Sequence, residues 1–382
     1  MSNPRYNSYE SSKPLMGSSD KPLLIIVIFL VVIGVMAIFS AGAPKCIAAG
    51  VNPARFAIVQ IIAIVLGYFA LMAFREIDYK DLAKYAVPFS IFVIFLLFLV
   101  NFTPLGHTVY GATRWIKLGP VQIQPSEFAK PAVIALLSCA FCNDVNIWDS
   151  RKISKYFIPI AIMAFLIFLQ PNLSMVLILM AISVVMYLSA GGSLGLVVGA
   201  SVFGVLVLKN FMHSYQMSRI EIWKNPEIDP LGAGYNIIQS LLAFAAGGFA
   251  GTGFGNSKQK LAWLPEGHTD FIFAVIAEEM GFVGCVFLIL IFIAFIVRGL
   301  YIASRCTNMF GKLMATGITL SIGIQAFINM AVSSSLIPAT GVTMPFISYG
   351  GSSIVVSLAM IGVLLNISRK RIRKINAYER AR

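Results

Sequence analysis

Ionisable side chains are scarce in this chain, so those placed against apolar sequence are the ones to read first. His268-Thr269-Asp270 closes a polar stretch and runs directly into the apolar Phe271-Ile272-Phe273-Ala274. A carboxylate at such a boundary is partly dehydrated, which raises its pKa and suits it to accept a proton. The same Asp also fits a plain helix N-cap, accepting backbone N–H groups with no chemistry attached. Glu278 and Glu279 lie about 12–14 Å further along that helix. Carboxylates inside a span face a cavity or a partner, so these two read as a proton path or as structural partners of neighbouring helices.

A second group precedes it. Gln124-Pro125-Ser126-Glu127-Phe128-Ala129-Lys130 places an acid and a base three residues apart on one helix face. They read either as a mutually neutralising pair or as a cavity pair whose Lys meets an anionic substrate. Arg114 stands beside Trp115 in Gly111-Ala112-Thr113-Arg114-Trp115-Ile116. An Arg beside an aromatic at a membrane surface suits a lipid phosphate, and suits interfacial anchoring equally. Glycines alternate in Gly251-Thr252-Gly253-Phe254-Gly255, as tight turns or close approaches require. Small residues gather in Pro345-Phe346-Ile347-Ser348-Tyr349-Gly350-Gly351, packing helices closely or lining a polar cavity.

The elements that must hold these groups are membrane spans. Of the 382 residues 58% are hydrophobic and 12% charged, against about 25% charged in a soluble chain. Ten apolar runs follow one another: 22–41, 54–74, 85–102, 127–141, 156–170, 173–190, 194–210, 270–297, 313–333 and 346–367. The reading is an all-α polytopic membrane protein with about ten transmembrane helices. With both termini inside, the inner loops and tails carry most of the Lys and Arg, which places N and C termini in the cytoplasm. Residues 1–21 read as a disordered cytoplasmic tail, 22–367 as the membrane domain, and 368–382 as a basic cytoplasmic tail. Two outer loops are long, 103–126 and especially 211–269, and loops of that length are functional as a rule. The net charge of +13 is weighted toward Arg369-Lys370-Arg371-Ile372-Arg373-Lys374. Following an apolar run, that cluster suits anionic lipid and not nucleic acid. Cys139 and Cys142 have no second pair at zinc-site spacing, and no metal site is expected.

Taken together, GATRWI, QPSEFAK, DPLGAGYNIIQS, QKLAWLPEGHTDFIFAVIAEEMG and PFISYGGSS resemble the SEDS family of cell-wall polymerases, over nearly the whole chain after the tail. GNSKQKLAWLP is closer to the division and sporulation branch, FtsW and SpoVE, than to the elongation branch, RodA. The resemblance implies a peptidoglycan glycosyltransferase that polymerises lipid II on the outer face of the bacterial cytoplasmic membrane, at the division septum. It implies that Asp270 is the essential carboxylate, and that Arg114, Glu127, Lys130, His268 and Ser348 serve substrate binding. The family's usual Q-P-D-L-G-T reads Gln170-Pro171-Asn172-Leu173-Ser174-Met175 here, so one acid is missing.

The chemistry fits that implication. A carboxylate can take the proton of an acceptor sugar hydroxyl as it attacks the anomeric carbon, and cations can offset charge growing on the lipid pyrophosphate leaving group. The sequence holds no dedicated metal cage, which leaves room for a divalent cation, Mg or Mn, borne by the pyrophosphate. A lipid II flippase is the rival, because spans with internal charges also describe transporters; an ion-coupled solute transporter is a third reading, without internal repeats to support it. The expected partners are lipid II, a class B penicillin-binding protein supplying the transpeptidase, and other divisome proteins.

Overall fold

Long uncharged runs leave the backbone no water to bond with, so each closes its own hydrogen bonds as a helix. A computed structural model describes residues 15–16, 18–109, 112–118, 121–144, 146–199, 214–261, 264–369 and 371–372. The helices are α1 (Lys21–Ala48), α2 (Arg55–Glu76), α3 (Tyr79–Phe102), α4 (Pro125–Phe141) and α5 (Ser150–Leu169, with a π-helical turn at Ile153–Phe157). There follow α6 (Leu173–Ser189), α7 (Ser214–Lys224), α8 (Tyr235–Gly247), α9 (Ile272–Arg305), α10 (Met309–Ser333) and α11 (Gly351–Ser368). Among the described residues seven of these, α1, α2, α3, α5, α9, α10 and α11, are long and apolar enough to cross a membrane. The chain is a helical, multi-pass membrane protein. Of the expected span 194–210, residues 194–199 are helical and the rest lies outside the described residues. The expected tails are described only at 15–16 and 18–21, and at 368–369 and 371–372.

The spans sort into inner and outer helices. In α10 and α11, 72% of the most apolar window is buried inside the protein, against 17–39% in the other five. The shorter α4 is buried along almost its whole length. A helix shielded from lipid can carry polar groups, and these three do. Asp20 caps α1 by accepting from the Leu23 N–H, pairs with Arg298 of α9 at 2.7 Å, and donates its own N–H to Ser368 of α11. Both ends of the membrane region therefore share one end of the bundle, while Lys45, at the far end of α1, lies close enough to His268 to act on its charge.

The two long loops are structured. Residues 103–126 form a three-stranded antiparallel sheet of β1 (Gly106–Val109), β2 (Ala112–Leu118) and β3 (Val121–Ile123), with Ile116 opposite both Gly106 and Ile123. Alternation along β2 puts Arg114 on the same face as the buried Ile116. The expected outer loop 211–269 contains α7 and α8, and its last part does not stay at the surface. It descends along α9 to Gly281, about 16 Å from Asp270 at the helical rise.

There α9 is broken, with Gly281 at φ 65° and ψ −166°. The N–H groups of Thr252 and Gly253 donate to the carbonyls of Glu278 and Glu279, at 2.9 and 3.0 Å, and those of Phe282 and Val283 donate to Gly248 and Phe249. Backbone freed by the break is thus satisfied by the loop, as membrane depth demands. The alternating glycines have their reason here. Gly251, Gly253 and Gly255 all have φ between +81° and +96°, and a Cβ on Gly251 would lie 2.2 Å from the Glu279 carbonyl oxygen.

Candidate active site

Asp270 sits in the turn before α9, and that turn is fastened carbonyl by carbonyl. The His268 carbonyl accepts from the Tyr349 N–H at 3.0 Å, the Thr269 carbonyl from the Ser348 hydroxyl at 2.6 Å, and the Asp270 carbonyl from the Asn329 amide at 2.8 Å. The segment opposite, 339–343, is held in the same way. Arg219 donates to Ala339, Ser174 to Thr340, Asn329 to Val342 and Gln325 to Thr343, at 2.6 to 2.9 Å. Within this second segment Gly341, at φ +63°, faces the site: a Cβ there would lie 3.3 Å from Asp270 Oδ2 and 3.9 Å from Arg114 Nη1. Glycine at this position lets the base and the cation approach each other.

Among the described residues no donor bonds the Asp270 carboxylate. It is part-exposed by surface. Burial pushes its pKa up to about 7, Glu266 adds to the rise, and Arg114 and Arg219 oppose it. A carboxylate poised there is half-ionised near neutrality, the range in which a general base works best. Arg114 donates Nε to the Gln170 carbonyl at 3.1 Å and Nη2 to the Pro171 carbonyl. A cavity of about 370 Å³ opens beside it, lined in part by Asn101, Thr108, Thr113, Gln170 and Pro171.

The other expected site residues fall into three places. His268 and Ser348 back the Asp270 turn. The His268 ring packs against Phe56 with centroids 4.6 Å apart, and burial pushes its pKa down to about 4, with Lys45 acting in the same sense and Glu266 against. It is a neutral imidazole at pH 7. The Ser348 hydroxyl also accepts from the Met344 N–H at 2.8 Å, so its bonds here are to backbone. Glu127 and Lys130 form a closed pair within the bundle, 2.8 Å apart at 2% and 1% exposure, with Gln325 as second partner of Lys130.

Glu278 and Glu279 lie at the break in α9, Glu278 bonded through both oxygens and Glu279 through Oε1. Glu278 accepts from the Ser257 hydroxyl and from the N–H groups of Lys258 and Gln259; Glu279 accepts from Lys260 Nζ at 2.8 Å and from Ser40. Lys260, Arg219 and Gln325 were not legible as site residues. Lys260 and Arg219 lie in loop-like sequence, whereas Gln325 carried a signal: Ser321, Gln325, Asn329 and Ser333 recur every fourth residue in the second half of an apolar run. The missing acid is explained locally. Asn172 caps α6 by accepting from the Met175 N–H, a task Asn and Asp perform about equally well.

The sequence profile of the family described as "Cell cycle protein" (FtsW, RodA, SpoVE) matches residues 21–373. A probable peptidoglycan glycosyltransferase FtsW of Trichlorobacter lovleyi is 39% identical over 355 residues, covering 91% of this chain and 93% of the relative. Stage V sporulation protein E of Bacillus subtilis is 39% identical over 361 residues, covering 92% and 97%. Among solved structures, a chain from a study of polymerisation and crosslinking by a peptidoglycan synthase complex superposes with TM-score 0.76 at 28% identity, covering 92% of this chain and 97% of that one. The rod shape determining protein RodA of Thermus thermophilus superposes with TM-score 0.68 at 26% identity, covering 93% and 98%. With nearly the whole membrane region matched in sequence and in fold, the chain belongs to the FtsW/RodA/SpoVE family of cell cycle proteins.

Proposed function

We propose that this protein is a peptidoglycan glycosyltransferase that polymerises lipid II, with Asp270 as the general base. The observation that carries the reading is the Asp270 carboxylate: unbonded among the described residues, raised to a pKa of about 7, and under the influence of Arg114 and Arg219. In the reaction, the acceptor sugar hydroxyl gives its proton to Asp270 as its oxygen bonds the donor's anomeric carbon. The bond from that carbon to the lipid pyrophosphate breaks, and the pyrophosphate leaves with the electron pair. Displacement in one step inverts the α-linked donor to a β-linkage. Arg114, with Arg219 nearby, offsets the charge on the leaving group. Glu127, Lys130, His268 and Ser348 complete the substrate-binding set of the proposal indirectly: the last two fix the turn that carries the base, and the buried Glu127–Lys130 pair holds Gln325, which fastens the Thr343 carbonyl. A divalent cation, Mg or Mn, belongs to the proposal only as part of the bound pyrophosphate, whose charge it would offset.

The site belongs, in this proposal, to the outer face of the bacterial cytoplasmic membrane, with both termini cytoplasmic and the protein working at the septum. Relatives named probable peptidoglycan glycosyltransferase FtsW and stage V sporulation protein E both match at 39% identity, and division is the role proposed. A class B penicillin-binding protein is the proposed partner; the superposed chain from a peptidoglycan synthase complex supports it. The test is incubation of purified protein with labelled lipid II, alone and with the partner. Glycan strands that are sensitive to a muramidase are the expected product. Passage of lipid II across a vesicle bilayer without polymer would replace this reading with the flippase.

A further inference from the structure

The polar stripe of α10 ends at the base. Ser321, Gln325, Asn329 and Ser333 stand one helical turn apart, each at 0–1% exposure. Asn329 Nδ2 donates to two carbonyls, that of Asp270 at 2.8 Å and that of Val342 at 2.6 Å. These belong to the Asp270 turn and to the segment that brings Gly341 against it. One turn below, Gln325 repeats the pattern, donating Nε2 to the Thr343 carbonyl at 2.9 Å while its Oε1 accepts from Lys130. The opposite orientation of the Asn329 amide would aim its oxygen at two carbonyl oxygens, so the two acceptors fix which way it points. A carboxamide is needed because it carries two N–H donors on one nitrogen; Ser offers one, and an ionised Asp none. A helix face is also stiffer than a loop, which is what holding a reactive group to within a fraction of an ångström requires.

We propose that Asn329 is a positioning residue of the transfer reaction, clamping the Asp270 turn to the 339–343 segment so that the carboxylate stands at a fixed distance from Gly341 and Arg114. This rests on the reading of Asp270 as the base. Asn329 touches backbone only, and acts on the reaction through Asp270.

The experiment compares the full-length parent, Asn329→Ala, Asn329→Ser and the control Ser357→Ala, a buried serine of α11 outside this machinery. Two quantities are read: kcat and KM on lipid II, and the pH at which half of Asp270 is labelled by an apolar carbodiimide without substrate, located by mass spectrometry. A misplaced base is expected to cost kcat about 10- to 100-fold in Asn329→Ala, with KM changed by no more than about twofold. The labelling midpoint, near 7 in the parent, moves to lower pH as water reaches the loosened carboxylate and relieves its burial. Asn329→Ser falls between the two, and Ser357→Ala matches the parent. A folded Asn329→Ala with kcat within about threefold of the parent, a loss far below that expected of misplaced reacting groups, and an unmoved midpoint overturns the proposal. If Asn329→Ala does not fold, Asn329→Ser decides by the same readings; if neither folds, Asn329 is a folding residue and the proposal falls. A parent that labels as expected yet makes no polymer refutes the polymerase reading alone, and the midpoint still decides the clamp.

Discussion

Asp270 and the pair Glu278–Glu279 lie within ten residues of one another, and the protein treats them in opposite ways. The deep pair is bonded: two backbone N–H groups and a serine hydroxyl cover both oxygens of Glu278, and a lysine and a second serine hydroxyl meet Oε1 of Glu279. At Asp270 the order is reversed, since the carbonyls of the turn are all bonded and the carboxylate is left open. A carboxylate buried with full donors is a structural joint, because removing either side strands a charge. One whose frame is fixed and whose oxygens are open is available to a substrate. What separates the two roles is where the hydrogen bonds are spent, which burial alone does not reveal.

The sharpest way to break that contrast is at Asp270 itself. Asp270→Asn keeps shape and any capping role, so a true base loses about 10²–10⁴-fold in kcat in folded protein. Turnover within about threefold of the parent would leave the open carboxylate without the work assigned to a general base. At the deep pair the effect should fall on stability. Glu279→Ala strands the Lys260 ammonium and is expected to cost about 3–5 kcal/mol of stability, whereas replacing both Glu279 and Lys260 by Met restores most of it. Equilibrium unfolding in detergent measures both; a double variant as unstable as the single one would show that the pair is more than a joint.

The smallest effect sharpens the contrast through pH. The working base is ionised, so kcat/KM falls as the pH drops below about 7. Stability runs the other way. Because the folded pKa of about 7 lies above the ordinary 3.8, the native state holds a proton that the unfolded state has released across that window, and stability declines as pH rises through it. Asp270→Asn has no such proton, so it should melt higher than the parent at alkaline pH and close to it in acid. Equal melting at both ends would contradict the raised pKa.

The helices were legible as uncharged runs because hydropathy is a local property. What the sequence could not convey is contact between distant segments. Arg114 and Asp270 approach each other across Gly341, and spacing gives no hint of this; the resemblance to a family singled them out separately. The dipping segment after α8 reads as surface loop because Thr252, Asn256, Ser257, Lys258 and Lys260 are polar. Its docking along α9, with Ser257 and Lys260 buried, depends on a break in that helix at a glycine indistinguishable in sequence from any other. The sheet carrying Arg114 was missed because its strands are short and sit between spans. The four-residue polar period in α10 was open to inspection, and apolar content alone conceals it.

The break at Gly281 also bears on how the molecule is assembled. Synthesis delivers α8 and the segment after it before α9 exists, so the backbone groups and Lys260 ammonium that later meet Glu278 and Glu279 emerge with nothing to bond. In hydrocarbon they would be stranded, and they stay with water until α9 has inserted. The segment after α8 can therefore take its place only once α9 stands beside it, because its partners are the carbonyls and carboxylates of that helix.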